Sequence, residues 1–458
     1  MGNLDAIVKA YDIRGVVPDQ WDAPQARALG AAFALVLESE RSNNSRRAVV
    51  LGRDMRPSSQ WLGDAFAEGA CSQGWDVIDI GLASTDGLYF ASGSMDLPGA
   101  MFTASHNPQE YNGIKLCRAG AAPVGQDSGL AHIKAIAEGE LPSSELSLGS
   151  VSVIDVLSDY SAYLTGLVPI SAGRPLKVVV DAGNGMAGLT VPAVLHVPNL
   201  DLVEMFFDLD GTFPNHEANP IEPENLVDLQ AMVIAQGADV GLAFDGDADR
   251  CFVVDEKGQA VSPSAITALI ADRELARSPG STVIHNLITS WTVPEVVREA
   301  GGEPVRTRVG HSFIKAEMAR TGAVFGGEHS GHFYFRDFWR ADSGMLAALH
   351  VLSALGQSAP SVTLSSLLTQ YDRYRQSGEI NTKVPDPVAV IARVRSMYQD
   401  SQVSVDELDG LTVAGSDWWF NLRPSNTEPL LRLNVEARSG ELMATVRDEI
   451  LNAVREGN

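Results

Sequence analysis

Long apolar runs, positive charges and cysteines are all scarce in this chain of 458 residues. No stretch approaches the roughly 18 apolar residues that a membrane span needs. The best candidate is the short run from Gly344 to Leu352, so neither a membrane span nor a membrane partner is expected. The amino-terminal Met-Gly-Asn-Leu-Asp has no basic region followed by an apolar core, so it does not read as a secretory signal. Lys and Arg number 34 against 58 Asp and Glu, a net charge of −24, which argues against nucleic acid and anionic membranes as partners. Cys71, Cys117 and Cys251 are widely separated and odd in number. They suit buried thiols in a reducing cytoplasm, where the protein is expected to reside, and not a disulfide frame or a zinc site. An acidic chain binds an anionic metabolite only where it gathers its few cations, so clustered Arg and Lys become informative.

The length exceeds what one hydrophobic core serves, and two to four domains are expected. Apolar β-rich runs alternate with amphipathic helical patterns, which predicts an α/β architecture. In the first unit, 1–150, helices are expected over 24–40 and 58–73 and strands over 48–54, 75–81, 99–105 and 113–118, with a polar linker near 138–150. The second unit, 151–255, holds a helix over 154–167, a buried strand over 176–181 and a last strand over 238–244. The third, 256–374, is predicted to contain helices over 263–276, 292–300, 342–355 and 364–371 around strands at 281–287 and 323–325. From about Ser377 the pattern becomes a smaller, strand-rich α+β unit, 375–458.

Chemistry-bearing residues cluster in four places. Thr103-Ala104-Ser105-His106-Asn107-Pro108 follows the apolar run Gly99 to Phe102. Asn107-Pro108 and Asn112-Gly113 read as turns that present Ser105 and bring Lys115 back beside it. A serine at a strand end is by itself more often structural than reactive. Asp245-Gly246-Asp247-Ala248-Asp249-Arg250 places three carboxylates at alternate positions after a strand, suited to one hard cation such as magnesium. An EF-hand loop would need glycine where Arg250 stands and helices on both flanks; a solvated acidic hairpin is the plainer alternative. Gly327-Glu328-His329-Ser330-Gly331-His332 offers acceptors, a hydroxyl and imidazoles suited to a polyhydroxylated ligand, or simply a turn in which the histidines satisfy the backbone. Arg423-Pro424-Ser425-Asn426-Thr427-Glu428-Pro429 has the donors of a phosphate cradle, or of an ordinary Pro/Asn turn. Near the amino terminus, Lys9, Tyr11 and Arg14 lie beside Gly15, a weaker signal that suits a strand end equally well. One loop from each of four domains converging on a central cleft accounts for all of these together.

Taken together, these motifs resemble the α-D-phosphohexomutase superfamily, in its phosphomannomutase/phosphoglucomutase branch, along the whole chain and in the family's order. The resemblance implies three related α/β domains with mixed sheets plus a carboxy-terminal α+β domain resembling the TATA-binding-protein fold. It further implies phosphoserine at Ser105, with Mg2+ between its phosphate and Asp245, Asp247 and Asp249. Phosphoryl transfer to a hexose phosphate through a bound hexose 1,6-bisphosphate follows. Arg250 and Lys115 would neutralise phosphate charge, and His106, Lys115 and His332 are the candidates for moving the hydroxyl proton. Arg14 would contact the transferring phosphate; Lys9, Tyr11 and His311 would join substrate binding. Arg423, Ser425, Asn426 and Thr427 would hold the phosphate that is not reacting, while Glu328 and Ser330 read sugar hydroxyls. A monomer or weak homodimer is expected.

The Gly-Glu-His-Ser-Gly-His loop resembles the mannose- and glucose-tolerant branch. Dedicated phosphoglucomutases more often end this loop ESGG, and phosphoglucosamine mutases show EQSGH; those two activities are the nearest alternatives. One departure stands out: many relatives carry a basic residue at or near the position of Ile288, and often Arg where Trp291 stands, and His311 and Lys315 are placed to compensate. A phosphatase of the haloacid dehalogenase type, with its nucleophile among the aspartates, leaves TASHNP and RPSNTEP unexplained. A non-catalytic sugar-phosphate-binding protein is opposed by the intact Ser105, aspartates and Lys115.

Overall fold

A computed structural model describes residues 4–42, 45–170, 173–399, 402–424 and 430–455. The chain forms two compact units, Met1–Val261 with Ser330–Leu367, and Ser262–His329 with Leu368–Asn458.

In the first unit a mixed sheet runs in the order Ile13–Val16, Tyr111–Arg118, Gly99–Phe102, Ala48–Arg53, Asp76–Leu82, Val151–Val153. Ala48–Arg53 pairs in parallel with both Gly99–Phe102 and Asp76–Leu82. This central strand is buried on both faces from Ala48 to Gly52, which explains its uninterrupted apolar sequence. Helices Ala23–Glu40 and Ser59–Ser72 cover it through Phe33 and Phe66, and Phe66 meets Phe102 of the neighbouring strand edge-on at 5.6 Å. Parallel pairing puts the carboxyl ends of Ala48–Arg53 and Gly99–Phe102 at one edge of the sheet. The segments Asp54–Arg56 and Thr103–Pro108 therefore leave the sheet side by side. The strand Val151–Val153 pairs with Asp76–Leu82 through Val77 and Val151, so this sheet extends beyond residue 150.

A second sheet has the order Cys251–Asp255, Val240–Phe244, Leu176–Asp181, Leu200–Met205. The strand expected over 238–244 is not the last of this unit. Cys251–Asp255 in fact returns antiparallel, Phe244 opposite Cys251, so the aspartate loop is the connection of a hairpin. The first unit also contains the antiparallel pair Phe333–Phe335 and Ala341–Asp342, followed by helix Gly344–Gln357. That helix is buried at every position from Gly344 to Gly356, so the run from Gly344 to Leu352 belongs to a core helix. Among the described residues no helix is long and apolar enough to cross a membrane.

The second unit holds the parallel strands Glu303–Thr307, Thr282–Asn286 and Phe325–Gly327. It also holds an antiparallel sheet in the order Arg375–Lys383, Leu430–Ala437, Trp418–Pro424, Leu411–Ala414, Ser404–Asp406. Helices Pro387–Ser396 and Gly440–Arg455 pack on the latter through Val390, Val394, Val446 and Ile450.

One expected turn is part of a strand. Asn112-Gly113 is not a turn: both residues lie inside Tyr111–Arg118, opposite Gly15 and Arg14. The Asn112 amide donates to Ser58 Oγ at 2.7 Å and Ser59 Oγ at 3.0 Å, and its carbonyl accepts from Gly113 N. That bonding satisfies the side chain without a reversal. Strand alternation, two residues beyond Gly113, is what aims Lys115. The helix Thr85–Met95 was not anticipated because residues 85–92 are buried all round and its Gly and Ser residues are poor helix formers.

Candidate active site

Ser105 sits directly past the strand Gly99–Phe102, with φ 51°, in the left-handed region. Such a conformation costs a non-glycine residue about 1–3 kcal/mol and persists only where its surroundings over-determine it. Here Thr103 Oγ1 accepts from Ser105 N at 2.9 Å, and Asn107 N closes a turn on Ala104 O at 3.0 Å. The fully buried Arg56 supplies the rest. It donates to the carbonyls of Ser105, Asn107, Pro108 and Tyr111 at 2.9, 2.7, 2.7 and 3.0 Å, and pairs with the buried Asp54 at 3.2 Å. Arg56 has a local signal, since Arg53-Asp54-Met55-Arg56 directly after a buried strand gathers two of the chain's few cations.

The hairpin loop Asp245–Arg250 meets the serine. Gly246 allows the approach: a β-carbon there would lie 2.4 Å from Ser105 O. Ser105 Oγ donates to Asp245 Oδ2 at 2.7 Å, and Arg250 donates to Ser105 Oγ at 3.2 Å and to Asp245 Oδ2 at 2.9 Å. The Arg250 guanidinium also donates to His106 Nδ1, which lies 3.2 Å from Ser105 Oγ. Lys115 Nζ does not reach the serine hydroxyl. It bridges Asp247 Oδ2 at 2.7 Å and Asp249 Oδ2 at 2.6 Å. Thr85 Oγ1 donates to Asp247 Oδ2 at 2.6 Å, a contact the unanticipated helix supplies. His332 Nε2 stands 3.7 Å from Asp249 Oδ1, and Ser330 Oγ bonds His332 Nδ1 at 2.9 Å. Arg14 reaches the same loop through Asn107 Oδ1 at 2.6 Å and pairs with Asp12. Tyr11 is half-buried just before the strand Ile13–Val16, whereas the exposed Lys9 donates to the carbonyl of Ala6.

Charge in this pocket is tightly matched. Burial pushes the Asp245 carboxyl up to about 7, against the pull of Arg250 and with the push of the neighbouring aspartates. Burial would raise Asp247 too, but Lys115 and Thr85 hold it well below the usual carboxylate range. Burial also acts against the Lys115 ammonium, which the two aspartates nevertheless hold well above its ordinary value. His106 is pushed well below the usual imidazole value by burial, then by Arg250 and Arg14. The three aspartates offer oxygens within 4.8 Å of one another. Asp247 Oδ1 and Asp249 Oδ1 are buried without a hydrogen-bond partner. Carboxylate oxygens buried without a protein donor are costly, so the donor set fits a hard divalent cation.

In the second unit, Glu379 accepts from Arg423 Nη2 at 2.7 Å and from Arg432 Nη1 at 3.0 Å. One carboxylate between two guanidiniums leaves a positive excess where strands Trp418–Pro424 and Leu430–Ala437 pair at Pro424 and Leu431. Arg432 and Glu379 were not singled out from sequence, because strand pairing brings them to Arg423 across a register that local pattern does not reveal. Ser425, Asn426 and Thr427 lie outside the described residues, as does the side chain of His311, which opens helix His311–Thr321. Glu328 is buried and accepts from Asn286 Nδ2 at 3.3 Å and Gly310 N at 3.2 Å. Lys315 is likewise buried in the helix His311–Thr321. Ser330 and His332, by contrast, belong to the first unit.

Ile288 and Trp291, where the family resemblance leads cations to be expected, have an apolar use. Ile288 and Leu287 are buried with Trp419, and Trp291, Val309 and Ala414 pack against them. Trp291 meets Tyr374 edge-on at 5.8 Å. The buried Glu436 accepts from Trp291 N at 2.9 Å, Trp419 Nε1 at 2.8 Å and Gln376 Nε2 at 3.0 Å. These side chains fasten the strand end of Thr282–Asn286 to the carboxy-terminal sheet.

Fold and pocket thus define a multidomain α/β protein that presents a serine against a buried cluster of aspartates. Signatures of phosphoglucomutase/phosphomannomutase alpha/beta/alpha domains I, II and III match residues 5–142, 158–258 and 262–374, and that of the C-terminal domain matches 379–453. A phosphomannomutase of Salmonella typhimurium is 40% identical over 456 residues, spanning 97% of this chain and 98% of the relative. A protein of Xanthomonas campestris described as phosphohexose mutases is 42% identical over 452 residues, 98% of each chain. A crystal structure of a phosphoglucomutase/phosphomannomutase family protein from Burkholderia thailandensis superposes with a TM-score of 0.88 at 35% identity, covering 99% of this chain and 98% of that one. The chain belongs to the phosphoglucomutase/phosphomannomutase family.

Proposed function

We propose that this protein interconverts mannose 6-phosphate and mannose 1-phosphate, and glucose 6-phosphate and glucose 1-phosphate as a second pair. The observation that carries the reading is Ser105 Oγ, held between Asp245 Oδ2 at 2.7 Å and the Arg250 guanidinium at 3.2 Å. The phosphomannomutase and phosphohexose mutase names of relatives matched over nearly the whole length support it. The four segments 1–150, 151–255, 256–374 and 375–458 serve as the serine, aspartate, sugar and phosphate domains.

In this mechanism Ser105 is carried as phosphoserine. The free hydroxyl of a bound hexose phosphate attacks the phosphorus, the bond to Ser105 Oγ breaks, and the hydroxyl proton passes to a base. A hexose 1,6-bisphosphate forms, exchanges ends, and returns its other phosphate to Ser105 Oγ as that proton is given back. Asp245, Asp247 and Asp249 would hold Mg2+, which would supply charge neutralisation for phosphate oxygens. Arg250, with its Nε on Asp245 and its Nη2 on Ser105 Oγ, orients the hydroxyl and opposes the charge that develops on it. Arg14, anchored by Asn107, contacts the transferring group. Among the proton carriers, His106 has its Nδ1 turned onto Arg250 and Lys115 is held as an ammonium on Asp247 and Asp249, which favours His332 for the transfer. Tyr11, His311, Glu328 and Ser330 bind the sugar, and Arg423, Ser425, Asn426 and Thr427 hold the phosphate that is not reacting. Lys9 has the least support, being exposed.

Rates on mannose 1-phosphate, glucose 1-phosphate and glucosamine 1-phosphate, measured side by side with Mg2+ and added glucose 1,6-bisphosphate, test the assignment. The mannose and glucose substrates are expected to turn over faster than glucosamine 1-phosphate. Release of free phosphate without hexose 6-phosphate would sink the mutase reading. Arg423→Ala removes one of the two guanidiniums on Glu379. It is expected to raise KM by about 10–100-fold, the scale of a lost charged phosphate contact, with a smaller loss in kcat. An unchanged KM would remove Arg423 from the substrate site.

A further inference from the structure

Asp86 is buried, carries no part of the chemistry above, and lies beside the pocket. Three hydroxyls converge on its carboxylate. Ser84 donates to Oδ1; Tyr160, from helix Leu157–Leu167, donates to Oδ2 at 2.8 Å; and Ser343 donates to Oδ2 at 2.6 Å. Two of these hydroxyls are also helix caps. Ser84 Oγ accepts from Gly87 N at the start of Thr85–Met95, and Ser343 Oγ accepts from Leu346 N at the start of Gly344–Gln357. One carboxylate therefore ties together the first turns of two helices and the side of a third.

Both capped helices touch the aspartate loop. Next to Asp86, Thr85 donates its N–H to Asp247 O at 2.9 Å and its hydroxyl to Asp247 Oδ2 at 2.6 Å. On the other side Gly344, next to Ser343, lies so close to the loop that a β-carbon would come within 2.7 Å of Arg250 C and O and 3.0 Å of Ala248 O. The loop Asp245–Arg250 is thus gripped from two directions by helix starts that share one buried anchor.

We propose that Asp86 is a positioning residue for the aspartate pocket, setting the separation of Asp247 and Asp249 and hence the affinity for a divalent cation. The inference rests on reading that pocket as a cation site. Asparagine at position 86 keeps one of the two oxygens that now receive three donors, so at least one grip on the loop loosens. Tyr160→Phe and Ser343→Ala each remove a single donor and leave the charge of Asp86 in place, which separates positioning from loss of a nearby negative charge. Phe90→Leu weakens the same helix through its ring contacts with Tyr160, Tyr163 and Trp339 but leaves the hydroxyls alone.

The experiment titrates Mn2+ into the EDTA-treated full chain, reads free Mn2+ by electron paramagnetic resonance, and checks each variant's fold by circular dichroism. Asp86→Asn is expected to weaken Mn2+ binding about 10–100-fold, the scale of losing a group that orients metal ligands. Tyr160→Phe and Ser343→Ala should each weaken it several-fold, and Phe90→Leu should leave it unchanged. Wild-type affinity in both hydroxyl variants, or an equal loss in Phe90→Leu, would overturn the inference while leaving the cation site standing. A wild-type protein that binds no Mn2+ would overturn the cation site and the inference with it. If Asp86→Asn does not fold, the two hydroxyl variants decide.

Discussion

Ser105→Ala is expected to lower turnover of mannose 1-phosphate by on the order of 10⁴-fold or more, the scale of removing a covalent participant. Nothing else among the described residues holds a hydroxyl in the same place. Ser105 Oγ is the atom on which Asp245 Oδ2, Arg250 Nη2 and His106 Nδ1 converge, at 2.7, 3.2 and 3.2 Å. Alanine removes that atom and one donated hydrogen bond, while the backbone turn, held by Thr103 and Arg56, stays as it is. The variant should therefore fold and melt close to wild type, so that lost activity reports chemistry. Intact mass spectrometry should find a phosphate adduct on the wild-type chain and none on Ser105→Ala. A variant that kept most of the wild-type rate would show that Ser105 does not carry the phosphoryl group.

The largest expected loss of stability comes from Arg56→Ala. The guanidinium is wholly buried, saturates four backbone carbonyls of the serine loop and neutralises Asp54. Burial raises the Asp54 carboxyl despite Arg56 and lowers Arg56 despite Asp54, as expected where desolvation is the larger influence on each partner. Removing one partner of such a pair costs about 3–5 kcal/mol, because the other is left charged or unsatisfied in the interior. Thermal melting should show a transition lowered by on the order of 10 °C. Arg56→Lys keeps the charge but not the planar fork, and three donors cannot serve four carbonyls and a carboxylate. It should recover much of the stability yet remain slower than wild type, because Ser105 is no longer held at φ 51°. A lysine variant with full activity would reduce Arg56 to a charge partner of Asp54.

What was legible in the sequence has a common origin. Ala48–Arg53 and Leu176–Asp181 are buried on both faces, so their identity as strands is written in consecutive apolar residues. The aspartates are readable because tight loops after strands need Gly and alternate side chains locally, and Ser105 because its turn is built from Thr103, Asn107 and Pro108 within six residues. The departure at Ile288 and Trp291 was visible as missing charge, but its meaning was not. Only the packing of Leu287 and Ile288 on Trp419, from a strand more than a hundred residues away, shows those positions serving as an apolar fastening.

Composition and local pattern determined by themselves that this is a multidomain α/β protein with no long apolar span, a serine motif, an acidic loop and a separate arginine-bearing turn. Those features depend on spacings of a few residues, which a chain carries wherever it folds. Tertiary structure alone decided that Arg56 grips the serine loop, that Lys115 lies on Asp247 and Asp249 and not on Ser105, that Arg432 shares Glu379 with Arg423, and that three distant hydroxyls meet on Asp86. Each of these is a contact between segments far apart in sequence. It is selected by the cost of leaving buried charge and buried carbonyls unpaired, which no local window of residues contains.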